Sequence, residues 1–300
     1  MKKRRVIILG GNTDQLKFID EIKKQGFYTI LCDKNNDCIA KEKADEFYNI
    51  GYDDKKKLIF FANKIQLTER DFLFTAASQF AYVGISLLSE LVNLGLPNAE
   101  IIENCLDKNK FYKLFESNGI KIPKTEYLEN KNQLLKLFDS INNKDFYFLK
   151  SDFSKNPNYI YRINKVNFSN TKINWIKDRY FRKYYIFQKE FKGKNLRINI
   201  FNGRYNIFNF ENSELAILNK YQLELFNKKI FPKLSFFVEK FNLNKYLTKF
   251  DLIIDKNNWC ALDIGLDTPS RMMNFYKKQN INFEKYYVDY YLRGICKFPL

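Results

Sequence analysis

The chain has 300 residues, of which 45% are hydrophobic, enough to bury a large core in two or three packed units. It contains no histidine, which excludes catalytic triads and histidine-bearing zinc sites, so any chemistry must depend on Lys, Arg, Asp, Glu and backbone donors. The formal net charge is +17, but the excess is mostly lysine spread along the chain without a long basic block, and we therefore do not expect a nucleic-acid partner.

The start of the chain and its cysteines favour a cytoplasmic protein. MKKRR leads directly into a strand pattern without a signal-peptide core, and no apolar run approaches the roughly eighteen residues that cross a bilayer. The five cysteines are scattered without a CxxC pair, which argues against a disulfide framework and against a zinc knuckle. We expect reduced thiols and no membrane partner.

Strand and helix signals alternate at the beginning of the chain. RVIILGG, FYTILCD and DFLFTAAS read as strands, and the helical patterns DQLKFIDEIKKQG and YVGISLLSELVNLG end at Gly26 and Gly95. This alternation predicts a parallel, Rossmann-like α/β domain over residues 1–104. Its first turn, GGNTDQ from Gly10, lacks GxGxxG although Asp33 ends the second strand, so we expect a generic anion or substrate cradle and no NAD site.

The pattern then changes to α+β. Lys108 to Ser117 reads as a helix, and the strands DFYFLKSDF and YIYRINK flank a polar loop. The stretch YYIFQKEFKGKNLRINIFNGRYNIFNF alternates as adjacent antiparallel strands do, with turns at residues 192–194 and 202–204. A lysine-rich helix over residues 233–244, an acidic hairpin and an aromatic tail follow. We place a boundary near residue 187.

The segment KFDLIIDKNNWCALDIGLD places Asp251, Asp263 and Asp267 on one predicted hairpin. A three-residue KNN turn with a left-handed asparagine sets Asp251 opposite Asp263, whereas a two-residue turn places them on opposite faces. Because like charges opposed across strands are destabilising, the first register favours a divalent cation between them. Oxygen ligands favour Mg²⁺ or Mn²⁺ shared with phosphate oxygens. The alternative is a pair of solvated side chains on an exposed face.

Several short segments, taken in order, resemble the ATP-grasp superfamily. They are CLDKNKFYKLFESNGIKIP, FYFLKSDF, FQKEFKGKN, and KFDLIID with CALDIGLDTPSRM. Each motif is short and degenerate, and their order and spacing over nearly the whole chain carry the resemblance. It implies a Rossmann-like domain followed by a two-lobed ATP-grasp fold, with the small lobe and connecting helix over residues 105–187 and the large lobe with the metal hairpin over residues 188–300.

The resemblance implies nucleotide contacts for several residues. Lys108 and Lys150 match the lysines that reach ATP phosphates, although a lysine at a strand end is more often solvated. The segment that meets the adenine edge corresponds to Gln188, Lys189, Glu190 and Phe191. Its alternating polar residues would also suit the wet face of an edge strand. Asn195 lies where many members have a ribose-binding glutamate.

Metal and catalytic roles are implied in the same way. Asp251 and Asp263 match the two metal carboxylates. Lys249 matches a basic position that contacts the transferred phosphoryl group in peptide-forming members. Arg271 would clamp a substrate carboxylate, or pair with Asp267 at the surface.

The chain departs from the family pattern near the second acid and in the phosphate loop. The usual motif is Glu-x-Asn, but this chain has Asp263, Ile264 and Gly265, and Asp267 would have to compensate. The loop over residues 154–158 has no glycine to lay backbone donors over phosphates. These departures leave open the number of metal ions and a site without turnover.

The implied activity is an ATP- and Mg²⁺-dependent carboxylate-amine ligase. A carboxylate attacks the γ-phosphorus, and an amine then displaces phosphate from the acylphosphate. Arg197 and Arg204, on neighbouring predicted strands, would suit a small carboxylate substrate. The alternatives are a small-molecule kinase of the same fold and a nucleotide-binding protein with a degenerate site. A homo-oligomer is left open.

Overall fold

The computed structural model describes residues 4–142, 144–151, 160–166, 185–212, 214–266 and 270–298. Its strands are β1 (Arg5–Leu9), β2 (Tyr28–Cys32), β3 (Glu46–Tyr48), β4 (Phe72–Phe74), β5 (Thr125–Leu128), β6 (Tyr147–Ser151), β7 (Ile160–Ile163), β8 (Tyr185–Lys189), β9 (Lys194–Phe201), β10 (Arg204–Asn209), β11 (Thr248–Ile254) and β12 (Trp259–Gly265). Its α-helices are α1 (Gln15–Lys24), α2 (Lys55–Lys64), α3 (Ala81–Val92), α4 (Ala99–Leu106), α5 (Lys108–Ser117), α6 (Lys131–Ser140), α7 (Lys220–Leu225), α8 (Phe231–Lys240), α9 (Ser270–Lys278) and α10 (Phe283–Arg293). A π-helical turn, Phe226–Ile230, joins α7 to α8.

The first sheet has the order β3-β2-β1-β4, and all of its strand pairs are parallel. This confirms the predicted Rossmann-like unit, in which apolar strands are covered by amphipathic helices. Helix α1 ends before Gly26, which has φ +84°. Helix α3 ends at Val92 with Asn93 as a left-handed C-cap, so the expected end at Gly95 was late.

The second sheet has the order β5-β8-β6-β7 and is antiparallel throughout. Helix α6 packs on it through Leu134 and Phe138. The predicted boundary at residue 187 lies in the middle of β8. The division into domains at residues 104 and 187 therefore stays a prediction, with the second limit better placed after β8.

The third sheet, β10-β9-β11-β12, is also antiparallel. The β9–β10 turn is formed by Asn202 and Gly203, both with positive φ, as a tight hairpin requires. Helices α5 and α8 pack through Phe115 and Phe237 against Phe250 on one face of the sheet. The helix expected over residues 233–244 begins and ends earlier, at Phe231–Lys240, and a 3₁₀ turn follows it.

The aromatic tail forms packing surface, as the sequence indicated. Helix α10 packs on α1, and the Tyr287 ring contacts Phe18 with centroids 5.4 Å apart. Phe201 of the third sheet contacts Tyr290 and Phe298. The first and third sheets are therefore joined through buried aromatic rings.

In the acidic hairpin, Asp251 lies opposite Asp263, but the turn and the register that bring them together are not those of a simple three-residue hairpin. Asp251 pairs with Asp263, yet Ile254 pairs with Trp259, so the register shifts within the hairpin. The Asp255 N–H donates to the Asn258 carbonyl (2.8 Å), which leaves a two-residue turn without any left-handed residue. Leu262 is the extra, bulged residue that brings the acids back to one face. The two-residue alternative therefore forms, and the bulge is the reason that it does not place the acids on opposite faces.

Two further expectations concern the chain as a whole. All five cysteines are free thiols. In the described part of the chain, no helix combines the length and apolar character needed to span a bilayer.

Candidate functional site

Lys108 is placed at the first position of α5 by a side-chain cap. Asp107 accepts hydrogen bonds from the N–H groups of Asn109 (3.0 Å) and Lys110 (3.1 Å), which fixes where the helix begins. The Lys108 ammonium then lies 3.9 Å from a carboxylate oxygen of Asp263, and its side chain is only 14% exposed. The helix start and the acidic hairpin therefore meet.

Lys150 approaches the same acid from the second sheet. Its ammonium donates to the Gln188 carboxamide oxygen at 2.7 Å, across the β6–β8 pair. Burial, together with the nearby charge of Lys108, lowers the pKa of Lys150 to about 8, while the Asp263 charge acts in the opposite direction. The structure thus brings Lys108, Lys150 and Asp263 into one cluster, and their contacts with ATP stay a prediction.

The two hairpin acids differ in how they are satisfied. Asp251 binds Arg197 of β9 through both oxygens, at 2.6 and 2.7 Å, and is 8% exposed. The Asp263 side chain is 45% exposed and accepts one backbone hydrogen bond, from Ile264 at 3.0 Å. A cavity of about 150 Å³ opens between them, and Lys249 also lines it.

The two hairpin acids offer oxygen donors of the kind that Mg²⁺ prefers. Asp263 offers an accessible oxygen, and the oxygens of Asp251 each retain a lone pair beyond the Arg197 hydrogen bond. No cluster of three or more His, Cys, Asp or Glu side chains occurs among the described residues, so Asp251 and Asp263 would hold Mg²⁺ only together with ligands from outside the chain. The predicted ligand Asp267 and the loop over residues 154–158 lie outside the described residues.

Arg197 has a different role from the one suggested by its position in the sequence. It is tied to Asp251, which is its direct cross-strand neighbour, and is not left to a substrate. Arg271 donates to the Phe210 carbonyl and lies over the Phe210 ring, 4.5 Å from its centroid. Burial and the charge of Arg197 lower the pKa of Arg271. The arginine pair therefore lies beside the acid cavity, while Arg204 is exposed at the far end of the β9–β10 pair.

A larger pocket of about 580 Å³ lies between the second and third sheets. Its apolar walls come from Phe148, Ile160, Phe210, Ile253 and Leu262. Its polar rim contains Lys150, Arg162, Gln188, Lys189, Glu190, Lys192 and Asn195. Flat apolar walls with a few polar groups at the edge suit a nucleotide base and ribose.

The predicted adenine segment lies on this rim. Gln188 is 1% exposed and faces Lys150, whereas the Lys189 ammonium binds Asp145 at 2.8 Å. Glu190 binds Arg162 through both oxygens, at 2.6 and 3.0 Å, and Phe191 is half-buried. Their contacts with adenine stay a prediction, as does that of the exposed Asn195 with ribose.

A close backbone approach explains the glycine in this segment. A Cβ atom at Gly193 would lie 2.6 Å from the Ile254 carbonyl oxygen. The chain after β8 therefore runs against the acidic hairpin, and only glycine fits there without movement of the backbone.

Sequence reasoning missed two residues of the site. Arg162 donates to Glu190 from a position 28 residues earlier in the chain. No local sequence pattern predicts this ion pair. Gln79 lines the acid cavity from the loop after β4. A signal for Gln79 existed, because ligands of parallel sheets bind beyond the carboxyl ends of the strands.

Comparisons with known proteins agree with this architecture. No family model matches the chain. A segment of 136 residues, 44% of this chain, is 28% identical to a formate-dependent phosphoribosylglycinamide formyltransferase from Prochlorococcus marinus (strain MIT 9515). The match spans 33% of that relative, about a third of its length.

Solved structures of similar fold cover most of the chain. An L-amino acid ligase from Bacillus licheniformis is 15% identical with a TM-score of 0.66, covering 97% of this chain and 74% of its own. The biotin carboxylase domain of Hydrogenobacter thermophilus 2-oxoglutarate carboxylase, bound to MgADP, ADP and bicarbonate, is 12% identical with a TM-score of 0.70, covering 99% and 71%. The chain has the ATP-grasp fold. At these identities the likeness establishes the fold, and the activity has to be argued from the site.

Proposed function

We propose that the protein is an ATP- and Mg²⁺-dependent carboxylate-amine ligase of the ATP-grasp type. The observation that carries this proposal is the meeting of Lys108, Lys150 and Asp263, from three separate elements, beside the Asp251–Asp263 pair and the large pocket. Cations around a polyphosphate, with oxygen ligands for its metal ion, are what phosphoryl transfer requires. The names of the relatives, an amino acid ligase and a formate-dependent formyltransferase, support the same class.

In this proposal the lysines and acids serve the nucleotide. Lys108 and Lys150 neutralise phosphate charge, and Asp263 with Asp251 would hold Mg²⁺. When bound, Mg²⁺ supplies further charge neutralisation at the phosphate oxygens. The base lies between the apolar walls of the large pocket, with its ribose near Asn195.

The remaining basic residues serve the reacting carboxyl group. A substrate carboxylate oxygen bonds to the γ-phosphorus, and the bond from that phosphorus to ADP breaks, giving an acylphosphate. An amine nitrogen then bonds to the acyl carbon and loses a proton, and the carbon–oxygen bond to phosphate breaks, so that inorganic phosphate leaves. Lys249 lines the acid cavity and Arg271 lies beside it, where they would stabilise the developing oxyanion.

The cavity limits the substrate class. A volume of about 150 Å³ beside Lys249 suits a small carboxylate, which is the substrate class we propose, with ATP and an amine as the other substrates. We propose no membrane or nucleic-acid partner. Use of ATP also agrees with the cytoplasmic location predicted from the sequence.

A second candidate is a nucleotide-binding protein without turnover. It is favoured by Arg197, which engages both oxygens of Asp251, and by Gly265, which stands where the family has a metal-binding asparagine. In this alternative ATP binds and the reaction does not proceed.

An acylphosphate trap tests these functions. The protein is incubated with Mg²⁺, ATP, hydroxylamine and a panel of small carboxylates, and ADP, inorganic phosphate and hydroxamate are measured. A ligase forms all three products only when an accepted carboxylate is present. A kinase gives ADP and a phosphorylated product without phosphate release. ATP stabilisation against heat with no ADP formed supports the binding protein, and absence of any MgATP stabilisation contradicts both proposals.

A further inference from the structure

A directional chain of hydrogen bonds runs from the phosphate cluster into the second sheet. The Lys150 ammonium donates to the Gln188 oxygen at 2.7 Å, and the Gln188 nitrogen donates to the Thr125 hydroxyl at 2.9 Å. The Thr125 hydroxyl then donates to the Pro123 carbonyl at 2.7 Å. Every link lies between neighbouring strands or at the entry to β5, so the chain is held by the sheet itself.

The partners fix how the Gln188 carboxamide is turned. An ammonium group can only donate, so the atom that faces Lys150 must be the oxygen. The nitrogen then faces Thr125, whose proton is already directed to Pro123. One N–H group and one lone pair of the carboxamide are therefore occupied.

This arrangement differs from a side chain that waits for a base. Gln188 is 1% exposed, and reading an adenine edge through the N–H group that faces Thr125 would require it to release the Thr125 hydroxyl. Leaving a buried donor without an acceptor is unfavourable. The expected adenine contact from this side chain is therefore unfavourable.

Lys150, in contrast, needs the acceptor that Gln188 supplies. Its ammonium is half-buried and lies near the like charge of Lys108, which opposes its own charge. Without an anchored acceptor, repulsion from Lys108 favours rotamers that turn the ammonium away from the cluster. A neutral carboxamide fixes the ammonium without cancelling the charge that a phosphate needs, whereas a carboxylate would form an ion pair.

We propose that Gln188 is a positioning residue that aims the Lys150 ammonium at the nucleotide phosphates, and that it does not read the base. The inference rests on the proposed function to the extent that a nucleotide is the ligand. It assigns the Thr125 hydroxyl the supporting role of holding the carboxamide in this orientation.

A binding experiment without turnover separates the two roles. Calorimetric titrations with MgATP, with adenosine and with inorganic tripolyphosphate are carried out on the wild type, Gln188→Leu, Lys150→Met and the double variant. Gln188→Leu should weaken MgATP and tripolyphosphate about tenfold or more, the size expected for a lost hydrogen bond to a charged group. Adenosine should stay within twofold of the wild type. In the Lys150→Met background the same change should add almost nothing, because Gln188 acts through Lys150.

Two further variants sharpen the result. Gln188→Glu should also weaken MgATP, because it neutralises Lys150 and adds a negative charge beside the phosphates. Thr125→Val removes the distant support and should give a smaller loss, again confined to phosphate-bearing ligands. If Gln188→Leu lowers the melting temperature too far for titration, Thr125→Val with and without Lys150→Met carries the test.

Other outcomes overturn the inference. Equal losses for adenosine and MgATP would make Gln188 a base-reading residue. Additive losses in the double variant would show that Gln188 acts independently of Lys150. If the wild type binds adenosine and MgATP, and Gln188→Leu binds both ligands as tightly as the wild type does, the inference is wrong. The proposed function would not be affected by that result. A wild type that binds none of the ligands removes both.

Discussion

Asp33, which follows β2 and contacts the first βα turn, and Asp263 of the acidic hairpin use their charges differently. In the turn, Asp33 accepts hydrogen bonds from the N–H groups of Gly11 (2.6 Å) and Asn35 (2.7 Å). Gln15 closes the same turn by bridging the Leu9 carbonyl and the Ala76 N–H. In the hairpin, Asp263 is 45% exposed and stands 3.9 Å from the Lys108 ammonium.

The difference shows what separates a structural turn from a binding site. Donors and acceptors that satisfy one another stabilise the fold and leave little to hold a ligand. Charged groups that are not fully paired, such as those around Asp263, can still bind a ligand of complementary charge. Glycine and aspartate at a strand end therefore do not identify a site until their partners are known.

The largest expected effect on stability concerns Asp251, the hairpin acid whose two oxygens are both bound by Arg197. Arg197→Met leaves a mostly buried carboxylate without its partner and should lower the free energy of unfolding by about 3 kcal/mol or more. Urea denaturation measures the change. Adding Asp251→Asn should recover much of the stability, and a loss below about 1 kcal/mol in the single variant would show that the pair does not hold the hairpin.

The comparison between Asp33 and Asp263 is tested by replacing each with alanine. At MgATP concentrations about a hundredfold above Kd, the wild type should gain about 2.7 kcal/mol, and Asp263→Ala should lose most of that gain. Asp33→Ala should instead lower the ligand-free stability by about 1–3 kcal/mol and keep the gain, because it leaves turn N–H groups unpaired. Thermal denaturation with and without MgATP separates these effects, and a reversed pattern would refute the distinction.

Lys150 gives the site a pH dependence. Its pKa of about 8 means that its charge, and with it MgATP affinity, should fall as the pH rises from 7 to 9. The groups that act on it are Lys108 of α5 and Asp263 and Cys260 of β12. In the ligand-free protein the same group should raise stability from about pH 8 to 10.5, because the unfolded chain binds more protons there.

Affinity measured by calorimetry across this pH range tests the assignment. Lys150→Arg is the matched variant, since a guanidinium stays charged, and its affinity should not fall between pH 7 and 9. A wild-type affinity that is flat over this range would contradict the role of Lys150 at the phosphates.

The smallest effect concerns the bulge that aligns the two acids. The buried Tyr112 hydroxyl donates to the Leu262 carbonyl at 2.9 Å, and Tyr112→Phe should cost about 1 kcal/mol of stability. Tyr127→Phe is the control, because the Tyr127 hydroxyl has no hydrogen-bond partner within the described part of the chain. Equal melting temperatures for the two variants would show that the Tyr112 contact does not stabilise the bulge.

Local signals account for the features that sequence analysis predicted well. Helix α5 runs from Lys108 to Ser117 as predicted, because the Asp107 cap and Gly119 mark its ends within a few residues. The alternation of short apolar strands with amphipathic helices likewise predicted the parallel first sheet.

The hairpin shows where local reasoning reached the right result for the wrong reason. Asp251 does oppose Asp263, but through a two-residue turn and a bulge at Leu262, not through a three-residue turn. The bulge depends on partners far along the chain, since Tyr112 binds the Leu262 carbonyl and the Lys121 carbonyl accepts from the Ala261 N–H. Turn residues alone do not encode those contacts.

The sequence by itself determined the order of elements, the ends of helices α1 and α5 and which residue types could do chemistry, because these depend on neighbours a few positions apart. Only the tertiary structure decided that Arg197 binds Asp251 and that Gln188 accepts a hydrogen bond from Lys150. The residues of these two pairs are separated by 54 and 38 positions in the chain. Side chains so far apart in the chain meet only when their strands pair in a sheet, and this pairing fixes which charges are satisfied and which remain for a ligand.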